Sequence, residues 1–271
     1  PEVMAQGTLV MSTVSINIYG TNSGTSMASP AVAGGLALLY QRYRQLHGNA
    51  NPRNGLMKAL ICNGAADLGN PGPDYRYGFG WMDLQRSVLM LEANNYQHDS
   101  LAQGDTKTIT FNVPAGLAQL KVMLYWNDPA ASVLANPALV HDLDLEVITP
   151  SVTMYPQLLD TVPSMVNNVA LTGPDHVNNI EQVVINAPVA GTYTFVVKGT
   201  RVTQSPRQDY FLVYDTLPVV TRLTYPVGGE YTSPGDVLPI VWDSYGLPAN
   251  AFTVEYTTDG VTWNVIDAAV P

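Results

Sequence analysis

A single cysteine, Cys62, is present in 271 residues, so no disulfide can form within the chain and its folds must stand on packing alone. It lies in the apolar-periodic stretch Leu56–Cys62, which predicts a buried structural thiol rather than a reactive one, and leaves the redox compartment open. Charge is scarce at 13% of residues, and basic charge especially so. Twelve Lys and Arg against 22 Asp and Glu give a net charge of −10. The basic patch that nucleic acid or an anionic membrane surface requires is therefore missing, and neither is expected as a partner. Long hydrophobic runs are also lacking. The apolar series after Pro30 is short and is closed by Arg42 and Arg44, which excludes a membrane span. No repeat recurs and no low-complexity segment is seen. What is plentiful is Thr, Asn, Val, Gly and Pro, the composition of β-rich secreted proteins, at a length fit for two domains and part of a third.

The chain is organised around Gly24-Thr25-Ser26-Met27-Ala28-Ser29-Pro30-Ala31-Val32-Ala33-Gly34-Gly35. Proline is at home only in the first turn of a helix, so the helix predicted here starts close to Ser26 and runs to about Leu46. Its first four turns are apolar nearly all round, which predicts burial, and Gly34-Gly35 sacrifice helix propensity for close approach of other backbone. The Ser26 hydroxyl then lies where free backbone N–H groups and the positive end of the helix dipole converge, a place that stabilises a negatively charged oxygen. An activated serine fits that position. An Ala/Gly-rich core helix capped by a serine is the plainer reading of the same residues.

Before and after this helix the pattern is α/β. A strand is expected over Thr8–Val14, a loop over Asn17–Gly24, a second helix over Pro52–Cys62, and a last helix over Leu84–Ala93 capped by Asp83. From there the periodicity changes to two. Strands are expected at 106–113, 120–126, 142–147, 181–185, 191–197 and 209–214, separated by Pro/Gly/Asn turns with no helical period between them. That pattern means a β-sandwich or jelly roll. Further strands at 237–242, 252–256 and 262–266 follow a turn-rich lead-in. The reading is thus multidomain: residues 1–97, 98–217 and 218–271.

The residues around Ser26 resemble the catalytic-serine motif of the subtilisin-like serine proteases, the subtilases, without a break from Gly24 to Gly34 apart from the free position Ala31. Pro1-Glu2-Val3-Met4-Ala5-Gln6-Gly7 and Gly72-Pro73-Asp74-Tyr75-Arg76-Tyr77-Gly78-Phe79-Gly80 resemble the segments that flank it in that family. The resemblance implies the C-terminal part of an α/β subtilisin-like domain. Ser26 would be the nucleophile, its own backbone N–H one oxyanion donor, and a protein or peptide the substrate. The family's Asp, His and oxyanion-hole Asn motifs precede the serine, and none is found in the 25 residues before it. The four histidines, His47, His98, His141 and His176, sit in no such motif and read as satisfied surface or turn residues. The chain alone is therefore expected to be inactive, its N-terminus to be missing, and a separate or preceding segment to complete the site. The parent protein is expected to be a secreted or cell-surface endopeptidase.

A second candidate site is metallic. Asp142 and Asp144 point to one face of a strand, about 7 Å apart, while Leu143 and Leu145 face the core. Asp175, Asn178, Asn179 and Glu181 follow as an acidic and amide cluster. Hard oxygen ligands suit Ca²⁺ rather than zinc. Trp126-Asn127-Asp128-Pro129 and these two segments resemble the C-terminal jelly-roll domain of some alkaline subtilases, which implies a structural calcium on Asp142, Asp144, Asp175, Asn178 and Glu181. A solvated polar sheet face with Asn-built turns is the bland alternative. The third segment resembles an incomplete Ig-like or fibronectin-III-like module, with Trp263 expected in its core. Tyr193, Tyr210, Trp242 and Trp263 could instead form a binding surface, although aromatics at strand spacing are more often core. The rival to an enzyme is a non-catalytic secreted β-sandwich fragment that binds or scaffolds.

Overall fold

A computed structural model describes residues 1–15, 17–246 and 251–270. The first segment opens with a hairpin, β1 (Val10–Val14) and β2 (Ile18–Asn22), paired antiparallel. Three helices follow: α1 (Thr25–Leu46), α2 (Asn54–Gly64) and α3 (Leu84–Glu92). The start of α3 is fixed by its sequence, since the Asp83 carboxylate accepts from the Arg86 N–H at 3.0 Å and satisfies one of the amides a helix leaves open.

Next come β3 (Tyr96–Leu101), β4 (Thr106–Val113), β5 (Leu117–Tyr125), β6 (Asp142–Ile148), and the short β7 (Thr153–Met154), β8 (Gln157–Leu158) and β9 (Leu171–Thr172). The long strands β10 (Ile180–Asn186), β11 (Gly191–Arg201) and β12 (Gln208–Pro218) complete this region. They form two four-stranded antiparallel sheets, in the orders β10-β5-β12-β3 and β4-β11-β6-β7. Side chains from both sheets, among them Leu120 and Leu124 on β5, Leu143 and Leu145 on β6 and Phe195 on β11, meet in one fully buried core.

The first of these sheets is buried on both faces. Leu120, Val122 and Leu124 point into the core between the sheets, while Met123 and Tyr125, with Phe211 and Val213 of β12, pack under α2 against Leu56, Met57 and Leu60. The near-continuous apolar run of β5 is the sequence mark of such a strand. Burying each of these large side chains contributes about 1.5–3 kcal/mol. Polar contacts then fix how the helices seat on the sheet. Arg86 grips the Asp215 carboxylate with two donors, its Nε at 2.9 Å from Oδ2 and its Nη2 on Oδ1. Lys121 Nζ donates to the Ala65 carbonyl at 2.6 Å, and Gln182 Nε2 donates to Asn63 Oδ1 at 3.0 Å. Burial lowers the Lys121 pKa, and burial raises that of Asp215 against the pull of Arg86.

The final segment holds two separate hairpins, β13 (Val220–Tyr225) with β14 (Val241–Tyr245) and β15 (Phe252–Tyr256) with β16 (Asn264–Val270). Between them lies an apolar cleft of about 420 Å³ lined by Leu223, Ile240, Trp242, Phe252, Val254 and Ile266.

Several features differ from the sequence reading, among them the strand expected at 237–242, which runs over Val241–Tyr245 instead. The expected loop 17–24 contains β2, because an adjacent strand was available to pair with it. The polar strand β3 was not foreseen; Tyr-Gln-His-Asp-Ser-Leu has no apolar alternation, and its pairing with β12 makes it an edge strand. Helix α1 is not buried all round. Only Gly35 and Leu39 are buried, whereas Ala31, Ala33, Gly34, Ala37 and Leu38 are not, because the main packing of α1 among the described residues is on α2 and α3, which cover one side of it. Trp263 is 58% exposed rather than core, because it lies in the loop between β15 and β16 and not on a strand.

Candidate functional site

Ser26 is the second residue of α1 and is exposed. The segment before the helix is held by backbone contacts: Gly24 N–H donates to the Gly7 carbonyl at 2.7 Å, and Leu9 N–H to the Ser23 hydroxyl at 2.9 Å. Gly24 has φ of 152°, open to glycine, and a Cβ on Gly7 would stand 2.9 Å from the Gly24 carbonyl oxygen. The two glycines thus permit the close crossing that aims Ser26 outward. Pro30 lies inside the second turn rather than the first. Its missing N–H removes the donor that would otherwise bond the Ser26 carbonyl, four residues back.

A serine hydroxyl at this position has helix amides beside it but needs a base to attack a carbonyl. Each histidine has other partners. His47 contacts the Tyr43 carbonyl at 2.8 Å and the Tyr96 hydroxyl at 2.9 Å. His98 stacks on Phe211. His141 is not a surface or turn residue as expected but fully buried, with Nδ1 on Gln208 Oε1 at 2.7 Å and Nε2 accepting from Gln204 N–H at 3.0 Å. His176 sits among carboxylates. Among the described residues, no hydrogen bond joins Ser26 to a histidine or a carboxylate.

The carboxylates around His176 form the second site. Asp142, Asp144 and His176 bring ligand atoms within 4.8 Å of one another. His176 Nδ1 is 3.0 Å from Asp142 Oδ2 and 3.5 Å from Asp144 Oδ1. Glu181, on the opposite sheet, is not one of the three residues whose ligand atoms converge, but it bonds β6 and feels their charge. Its Oε2 accepts from the Leu145 N–H of β6 at 2.7 Å, and its pKa is raised well above the ordinary range, by burial first and then by Asp144, Asp175 and Asp142. Glu181, Asp142 and Asp144 are 1%, 3% and 9% exposed, and each keeps one oxygen without a hydrogen-bond donor: Oε1, Oδ1 and Oδ1. The guanidinium that Asp142 feels, Arg201, is committed to the carbonyls of Leu139 and Val140. Buried oxygens without a donor are costly unless a cation meets them.

Asp175 takes a different part. One oxygen accepts from the N–H groups of Val177 and Asn178 and the other from the Asn178 side chain, so both shape the loop. Asn179 pins that loop to β5 through the Trp126 backbone. Asp128 likewise closes the 129–139 loop by accepting from the Val140 and His141 amides at 2.7 Å. The sequence reading missed His176 as a neighbour of the acidic pair. Its adjacency to Asp175 was the only signal available.

Compared with known proteins, residues 1–80 match the model of the Subtilase family. The "Serine protease/ABC transporter B family protein tagA" of Dictyostelium discoideum is 26% identical over 215 residues, 71% of this chain and 12% of that protein. "Subtilisin DY" of Bacillus licheniformis is 38% identical over 87 residues, 32% of this chain and 28% of its own length. The "Extracellular serine protease" of Serratia marcescens is 37% identical over 70 residues, 26% of this chain and 6% of that protein. The chain therefore spans only a minor part of each of these relatives. Among the described residues, no helix is long and apolar enough to cross a membrane. Residues 1–80 are thus the part of the chain that is similar to the Subtilase family.

Proposed function

We propose that this chain carries the nucleophile of a secreted subtilisin-like serine endopeptidase, with Ser26 as the attacking residue. The observation that carries this reading is the uncovered apolar surface of the segment that bears Ser26. Leu38 and the small residues of α1, together with Met11, Ile18 and Tyr19 of the hairpin, stand exposed within the segment that matches the subtilase family. Surface of this kind normally receives another element. An α/β segment bearing the aspartate and histidine would cover it and bring the base to Ser26, whether in a longer chain or in trans. The Ser26 hydroxyl would then give its proton to that histidine, attack the scissile carbonyl and form an acyl-enzyme that water hydrolyses. The helix amides beside it would stabilise the oxyanion. The subtilisin order of aspartate, histidine and serine is one of the general cases of this triad. The test is to add a separately folded subtilase segment carrying the aspartate and histidine to this chain and follow cleavage of a chromogenic peptide. Turnover that depends on both parts supports the proposal; turnover by the chain alone contradicts it.

In the same reading, the two packed sheets of residues 98–217 are a jelly-roll domain of the alkaline-subtilase type, seated directly on α2, and the last segment is part of an Ig-like module. A structural Ca²⁺ fits the acidic site. Asp142, Asp144 and Glu181 would hold it through their donor-free oxygens, with His176 displaced, and Asp175 and Asn178 would shape the loop around it. The donor set is oxygen-rich and anionic, as calcium requires. The ion would neutralise carboxylates from two sheets and so staple them together.

A further inference from the structure

We propose that occupancy of this cation site is coupled to the first turn of α2, so that the ion holds the helical layer as well as the sheets. The proposal rests on the cation reading above.

The argument starts from which elements own the carboxylates. Asp142 and Asp144 belong to β6 in one sheet, and Glu181 belongs to β10 in the other. At this place the start of β10 is tied to β6 by the bond from Leu145 N–H to Glu181. The donor-free oxygens of Glu181 and Asp142, both more than nine-tenths buried, mark where a counter-charge is due.

The start of β10 cannot shift alone. Asn179, just before it, makes two bonds to Trp126 at the end of β5: its carbonyl accepts from the Trp126 N–H at 3.2 Å, and its side chain donates to the Trp126 carbonyl at 2.8 Å. The end of β5 is joined in turn to α2. The Tyr125 hydroxyl donates to Asn127 Oδ1 at 2.8 Å, and Asn127 Nδ2 reaches Asn54 Oδ1 at 3.3 Å. Asn54 is the first residue of α2, and its Oδ1 also accepts from Gly55 N–H at 2.8 Å. One turn on, Lys58 Nζ lies 4.9 Å over the Tyr125 ring. The path from carboxylate to the first turn of α2 therefore runs through one strand pair and one asparagine bridge, while Gln182, next to Glu181, bonds Asn63 in the last turn of the same helix. Spatial continuity of this kind states a coupling to be measured.

The experiment is hydrogen exchange with mass readout on the full chain, with calcium chloride or with a chelator, beside equilibrium dialysis of radiolabelled calcium. Calcium should bind and slow exchange in the first turns of α2 by about tenfold, a size usual for coupled sites. Asn127→Ala should retain calcium binding while losing most of that slowing, whereas Glu181→Gln should lose both. If calcium binds and slows exchange only in β6 and β10, the coupling is overturned and the cation reading stands. If dialysis finds no bound calcium, the cation reading falls and takes the coupling with it.

Discussion

Gly55 of α2 lies directly against the ring of Phe211 in β12: a Cβ added to Gly55 would collide with Phe211 Cε2. His98 stacks on a face of the same ring, with centroids 4.8 Å apart, and limits its movement. Helix and sheet approach here as closely as their backbones allow. Gly55→Ala gains helix propensity but overpacks this contact, and the overpacking dominates. The variant should lose about 1–3 kcal/mol of stability, read by urea unfolding.

The Arg86–Asp215 pair, with side chains 14% and 4% exposed, spans the junction of α3 and β12. Asp215→Ala leaves the guanidinium buried without its carboxylate, beside the Lys121 ammonium that is already disfavoured by burial. A loss of about 3–5 kcal/mol is expected in thermal or urea unfolding. Replacing both residues by apolar ones of similar volume should recover most of it.

Cys62 is buried in α2, and burial pushes its thiol up to about 12. The thiolate is the reactive form, so the folded chain should resist iodoacetamide at about pH 8 and react only after unfolding. Fast alkylation of the native chain, measured by mass, would contradict the packing of α2 on the sheet.

A cation that binds only the folded chain must raise its melting temperature. At about a hundredfold excess over its dissociation constant, calcium should add about 2.7 kcal/mol, seen as a shift in calorimetry that a chelator reverses. Glu181→Gln should abolish the shift.

Much of this was legible in the sequence. The start of α1 near Ser26, the Asp83 cap, the alternation of the long strands and the burial of Cys62 all follow from local rules. Asp142 and Asp144 on one strand face were legible for the same reason, because strand periodicity is local. What escaped was set by distant partners. His141 is a core residue because Gln208, 67 positions on, reaches it. Asp175 became a loop-former because both its oxygens found nearby amides. The strand at 120–126 was expected to alternate, whereas β5 is apolar on both faces and covered on both, and which helix would cover it lay outside any local pattern. The exposed face of α1 escaped for a related reason: an apolar series says that a surface seeks cover and does not say what supplies it.

The most direct test of the account is labelling by a fluorophosphonate probe, read by mass, with Ser26→Ala as control. The probe should leave this chain unmodified when alone and form an adduct on Ser26 once an aspartate- and histidine-bearing subtilase segment is joined ahead of Pro1. Labelling of the isolated chain at Ser26, or no labelling of the joined polypeptide, would contradict it.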